Sequence, residues 1–195
     1  MKAEKIGADI VAVTGFECGG HPGNDDVCGS IVLQRTCEMV KNIPIVFSAG
    51  VVDGKGLVSA LAMGADGMEM ATRFIVCDES PAHLLYKQHL IDAQETDTMI
   101  IQRSIKNPSR VMKSSGAYKV LEMEARGATL EEMLTIISGK VGRKALFEAD
   151  LENCTFSAGQ SVGLIHHGGS VQQLFVEIMA TADESLARLR SAFEL

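Results

Sequence analysis

Three short apolar runs, each closing on a glycine- or threonine-bearing turn, constrain this chain more than any other feature. They are Asp9-Ile10-Val11-Ala12-Val13-Thr14, Ile43-Pro44-Ile45-Val46-Phe47-Ser48 and Gly67-Met68-Glu69-Met70-Ala71. The first two are rich in β-branched residues and lack polar alternation, as strands buried on both faces of a parallel sheet do. In the third, Met68 and Met70 alternate as strand residues do. Helical segments lie between the runs. Ile31 to Lys41 carries Ile31, Val32, Met39 and Val40 at partial helical spacing. Lys55 to Met63 follows an Asp53-Gly54 turn, and Gly64 is placed to cap its C-terminus. Gly7 reads as the same kind of stop for a helix that begins before the chain does. Strand, helix, strand, helix, strand implies βαβ crossovers and a parallel sheet.

After Phe74 the pattern changes. Residues 80–95 read as helical, Thr98 to Arg103 as a strand, and Asn107-Pro108-Ser109 as a polar loop. Thr129-Leu130-Glu131-Glu132 is a capping box for a helix running to about Ser138. Ser170 opens a long amphipathic helix, with Val171, Leu174, Phe175, Ile178, Met179, Ala182, Leu186 and Leu189 close to helical period. With no low-complexity linker between the halves, residues 1–195 read as a single α/β domain: βα units over 1–78 and a mostly helical extension over 79–195.

Composition narrows the function classes. A net charge of -7 argues against a nucleic-acid or anionic-membrane partner, since both require a basic surface. No apolar run is long enough to span a bilayer, and the first nine residues lack the apolar stretch of a signal peptide, so the expected location is the cytoplasm. Cys18, Cys28, Cys37, Cys77 and Cys154 are odd in number and form no CxxC pair, which argues against a disulfide framework or a zinc site.

Three clusters at run ends can carry chemistry. Gly15-Phe16-Glu17-Cys18-Gly19-Gly20-His21-Pro22-Gly23 follows the first run directly. Adjacent glycines let backbone bend and approach a ligand, and an imidazole exchanges protons near neutral pH. The plain alternative is a glycine-rich turn with a solvated histidine. Ser48-Ala49-Gly50-Val51 precedes a helix, and exposed N–H groups at such a turn suit a phosphate. Ala71-Thr72-Arg73 offers a further N–H, a hydroxyl and a cation at the next run end. Taken alone, Arg73 reads as a surface ion pair. Together the two turns make a phosphate grip of the kind found at the C-terminal strand ends of (β/α) barrels. GxGxxG is absent, so a Rossmann dinucleotide site has no support.

In order along the chain, these segments resemble the nitronate monooxygenases. Glu17 with Gly19-Gly20-His21 is similar to that family's Glu-Ala-Gly-Gly-His hallmark. Pro44 to Val51 resembles its next strand and phosphate loop, Gly64 to Phe74 its last barrel strand, and Ala158-Gly159-Gln160 a later loop. The resemblance implies a TIM barrel with FMN at the strand C-termini, of which this chain carries about the last three βα units plus the helical extension. It implies His21 as the catalytic residue and Gly19, Gly20, Ser48, Ala49, Gly50, Val51, Ala71, Thr72 and Gln160 as FMN-binding residues, with no metal. The implied reaction oxidises an alkyl nitronate, or a nitroalkane, with O2 to a carbonyl compound and nitrite. Flavin-dependent enoyl-ACP reductases and NADH:quinone reductases share these motifs, and an inactive truncated barrel is the third reading. Cys18 stands where the family has alanine, Pro22 follows the histidine, and Ala49 and Ala71 stand where glycine is common. The family's first five strands have no counterpart here. The free side of the first strand is therefore expected to expose apolar surface and promote self-association.

Overall fold

The computed structural model describes residues 2–193. A short helix, α1 (Lys2–Lys5), leads into β1 (Val11–Val13), α2 (Gly29–Met39), β2 (Ile45–Phe47), α3 (Gly54–Ala62) and β3 (Gly67–Met68). The strands form one parallel sheet in the order β1-β2-β3, with Val13 opposite Phe47 and Phe47 opposite Met68. Each strand is shorter than the run that announces it. The third ends at Met68 rather than Ala71, because Thr72 already opens a short helix, α4 (Thr72–Ile75).

Val13, Ile45, Phe47 and Ala49 pack with Leu33, Val40, Ala60 and Ala65 into a core between the sheet and helices α2 and α3. The expectation of strands covered on both faces holds on that face only. Ile10, Ala12, Val46 and Met68 point to the other side, where they line an apolar groove of about 590 Å³ together with Phe175 and Met179. Ile10 is 57% exposed. Among the described residues the sheet has no strand beyond β1 or β3, so these three strands make an arc and not a closed barrel. Gly64 caps α3 as its position implies: φ is +100°, the Gly64 N–H donates to Leu61 O at 3.0 Å, and the Ala65 N–H donates to Ala60 O at 3.0 Å. This is the Schellman pairing of a helix C-terminus.

The second half is helical with one β ribbon. After α5 (Leu84–Asp92), β4 (Thr98–Ile101) pairs antiparallel with β5 (Ser109–Met112). Ser109, read from sequence as loop, instead opens a strand that is buried at all four positions. Helices α6 (Ser115–Ala125), α7 (Leu130–Ile137) and α8 (Gly139–Glu148) follow, then a 3₁₀ turn (Gln160–Leu164) and α9 (Val171–Phe193). The Thr129–Glu132 capping box on α7 is present in both directions. Helix α9 lies against α3: Gly54 N–H donates to Thr181 Oγ1 at 2.9 Å. A Cβ on Gly54 would stand 2.1 Å from Ile178 O, so glycine sets how closely the two helices approach. No helix among the described residues is long and apolar enough to cross a membrane.

Candidate functional site

The loop leaving β1 is folded by close backbone contact. A Cβ on Gly15 would fall 2.2 Å from the Cα of Gly29, and one on Gly29 would fall 2.5 Å from the Cβ of Ala49. The three small residues stack, and α2 begins directly on top of the strand ends. Both carboxylate oxygens of Glu17 accept the Gly29 N–H, at 3.1 and 3.0 Å. A carboxylate at a helix N-terminus meets both an unpaired donor and the positive end of the helix dipole. Glu17, the alternative general base from sequence, is therefore a helix cap in this structure.

The same loop packs against residues 158–160. A Cβ on Gly19 would stand 2.7 Å from Ala158 C, and the Gln160 N–H donates to Glu17 O at 2.9 Å. Gly20 and Arg110 exchange backbone hydrogen bonds, Gly20 N–H to Arg110 O at 3.0 Å and Arg110 N–H to Gly20 O at 2.6 Å. The Arg110 side chain then reaches back to the loop. Its Nε and Nη2 donate to Phe16 O at 3.0 and 2.9 Å, and Nη1 donates to Thr98 Oγ1 at 3.0 Å. Its guanidinium lies 4.5 Å from the Phe16 ring centroid. Arg110 is buried, and burial pulls its pKa below the usual arginine value, while nearby Cys18 and Glu17 act in the opposite sense. Burial, then Glu17, pushes the Cys18 thiol up.

Sequence reasoning missed Arg110 as a site residue. The signal was a cation directly before the apolar pair Val111-Met112, but its partner Phe16 lies 94 positions away. Arg110→Met removes all three side-chain bonds and should cost about 2–3 kcal/mol, since each net hydrogen bond to a charged group contributes roughly 1–3 kcal/mol and part of the loss is offset by no longer burying the charge. Arg110→Lys should recover less than half, because an ammonium cannot reproduce the two-point fork on one carbonyl. Urea denaturation measures both variants. A loss below about 0.5 kcal/mol in the methionine variant would show the clamp to be redundant.

The loops after β1, β2 and β3 meet at one cleft of about 210 Å³, walled by Gly19, Ser48, Gly50, Val51, Ala71 and Thr72 among others. Six of the sequence-predicted binding residues are therefore brought together. Gly50 has φ +70°, a conformation glycine adopts without penalty. Among the described residues no acceptor takes the N–H of Gly50, Val51 or Thr72. The remaining predicted residues lie elsewhere. Ala49 is buried at 3% exposure against α2. Gly20 is engaged with Arg110, and Gln160 is turned to Glu17 by its N–H, although its neighbours Gly159 and Ser161 line the cleft. His21 is exposed on a second cleft of about 340 Å³ that shares Ile75 and Ser157 with the first. Arg73 also lines the first cleft, but it is buried and committed: Nη1 donates to His167 O at 3.1 Å and Nη2 to Glu177 Oε2 at 3.3 Å.

The cleft lies at the carboxyl ends of parallel strands, the end at which (β/α) folds place their ligand sites. The sequence model of the nitronate monooxygenase family matches residues 1–181, and the chain belongs to that family. It is 30% identical to a probable nitronate monooxygenase of Staphylococcus saprophyticus, over 95% of this chain and 54% of that protein. It is 25% identical to one of Bacillus subtilis, over 90% of this chain and 52% of that protein. The chain thus spans about half the length of these relatives. Among solved structures it is similar to FabK from Thermotoga maritima, with TM-score 0.90 and 34% identity over 98% of this chain and 60% of that one. It is also similar to a nitroalkane oxidase from Streptomyces ansochromogenes, with TM-score 0.78 and 25% identity over 96% of this chain and 55% of that one.

Proposed function

We propose that this chain forms the phosphate-binding and base-bearing part of an FMN-dependent (β/α)-barrel oxidoreductase that acts on alkyl nitronates. The observation that carries the reading is the single cleft at which three successive strand-end loops meet and two of them, after β2 and β3, carry N–H groups that no described residue accepts. A phosphate fits this donor set, with Gly50, Val51 and Thr72 as the donors, Ser48 beside them, and no Cβ at Gly50 to obstruct approach. Gly19 borders the same cleft from the His21 loop. FMN bound there supplies the acceptance of electrons and their passage to O2. In the overall reaction, two nitronates and one O2 balance two carbonyl compounds and two nitrites. His21 takes the proton from the carbon that bears the nitro group when the substrate arrives as a neutral nitroalkane. Arg110 fixes the backbone behind it through Gly20. The partners in this reading are the small nitro compound and O2 in the cytoplasm, with self-association through the apolar groove beside β1.

A flavin-dependent enoyl-ACP reductase is the second reading, favoured by the likeness to FabK. Both readings place FMN at the same loops, so the phosphate assignment is tested first. Titrating the purified chain with FMN and with riboflavin, followed by flavin fluorescence, should show FMN binding at least about tenfold tighter, the worth of a few charge-assisted bonds. Gly50→Ala should remove most of that difference, because a non-glycine residue at positive φ costs roughly 1–2 kcal/mol. Equal affinity for FMN and riboflavin would remove the phosphate site. Binding of neither would favour a chain that keeps the fold without the chemistry.

A further inference from the structure

Helix α9 contributes no strand to the sheet, yet one turn of it reaches two of the loops that form the phosphate cleft. We propose that Glu177 and Thr181 of α9 are positioning residues, which brace the loops after β2 and β3 at the spacing a bound phosphate requires. The proposal rests on the reading of Gly50, Val51 and Thr72 as the phosphate donors.

Glu177 and Thr181 stand one helical turn apart and so share a face of α9. Thr181 holds the segment that follows the loop after β2. Its Oγ1 accepts the Gly54 N–H at 2.9 Å, shortly beyond Val51 in the chain. The hydroxyl proton goes to Glu177 O at 2.8 Å, which leaves a lone pair turned to Gly54. Glu177 holds the loop after β3. Its Oε2 accepts from Arg73 Nη2 at 3.3 Å, and Arg73 is the neighbour of Thr72. Arg73 Nη1 donates to His167 O at 3.1 Å, so the side chain is fixed at two points. His167 Nε2 lies 3.7 Å from the same carboxylate oxygen. Arg73 is buried, where a cation is stable only with partners. Val52 and Arg73 line the phosphate cleft and also an adjoining cleft of about 230 Å³, whose walls include Glu177 and Thr181. Neither α9 residue lines the phosphate cleft itself, so both act through the loops they hold. A binding site keeps its geometry only where the residues behind it are themselves fixed.

The test titrates the full 195-residue chain with FMN and with riboflavin, followed by flavin fluorescence, beside urea denaturation of each variant. The measure is the ratio of the two affinities, because only FMN carries the phosphate. Thr181→Val should lower that ratio by about fivefold, the effect of roughly one hydrogen bond at the phosphate. Thr181→Ser should restore it, because serine keeps the hydroxyl. Glu177→Leu should lower the ratio to a similar extent, and Glu177→Gln should restore part of it, because the amide oxygen still accepts from Arg73. Leu174 and Ile178 keep their packing on Phe74 and Cys77 in all four variants, so the fold is expected to survive. Residues that support the fold alone would lower stability in urea and leave the ratio unchanged, and that result overturns the proposal. Tighter FMN binding in Glu177→Leu also overturns it, because Glu177 would then be withholding Arg73 from the phosphate. A ratio near one in the parent chain removes the phosphate site and the brace with it. A parent that prefers FMN, beside variants that all match it, overturns the brace alone.

Discussion

Gly15→Ala should destabilise the chain by more than about 3 kcal/mol, the upper end of what overpacking a well-packed site costs. The added methyl would stand 2.2 Å from both Cα and N of Gly29 and 2.6 Å from Glu17 Oε2. Two of those three atoms are backbone, so no rotamer change relieves the clash. Either β1 or α2 has to move. Moving α2 also pulls the Gly29 N–H from Glu17, whose two contacts are charge-assisted, and it opens the stack of Gly29 on Ala49. Gly67→Ala is the control. It lies in β3, and a Cβ there meets nothing within 4 Å, so its expected change is within about 0.5 kcal/mol. Urea denaturation of the two variants reads the difference. If Gly15→Ala stays within about 1 kcal/mol of the parent, the contact between strand-end loop and helix is looser than described here.

The arc of three parallel strands is legible in the sequence because its signals are local. Runs such as Ile45-Val46-Phe47 leave little choice but strand, and Gly64 stops α3 by its own backbone conformation. The meeting of the three strand-end loops is legible for a related reason: parallel strands joined by crossovers must place all their C-terminal ends on one side. What stays hidden depends on distant partners. Ser109 reads as part of a polar loop because Asn107-Pro108 precedes it, yet β4 draws Ser109 to Met112 into a ladder and Gly20 extends that ladder from far along the chain. Arg110 is a clamp only because Phe16 O faces it, and Tyr86 belongs to a cleft only because β5 and α8 close the other walls. Helix α8 is masked by Gly139 and Gly142, which have low helix propensity, and tertiary packing of Ala145 overrides it. The open face of the sheet contradicts the two-sided burial that its apolar strands imply. Local pattern reports that a side chain is apolar and says nothing of which neighbour is present to cover it.

His21→Asn should lower turnover of a neutral nitroalkane by about 100-fold or more in the flavin-loaded protein, the range typical of a positioned general base. The same variant should turn over the preformed nitronate within about threefold of the parent, because that substrate has already lost its proton and bypasses the step. The asymmetry carries the argument. His21 lines the second cleft, across Ile75 and Ser157 from the first, and it is exposed. That placement lets it reach a substrate held between the two clefts without forming part of the phosphate site, so FMN content should not change. Asparagine keeps a polar side chain at the site but cannot accept a proton at neutral pH. An equal loss on nitroalkane and nitronate would make His21 a residue that orients the substrate and not a base. Loss of FMN would make it part of the cofactor site, and normal turnover on both substrates would reduce it to a loop residue. In either of those last two outcomes the proton must leave by another group. Glu17 is poorly placed for that, because both of its oxygens are held by the first N–H of α2.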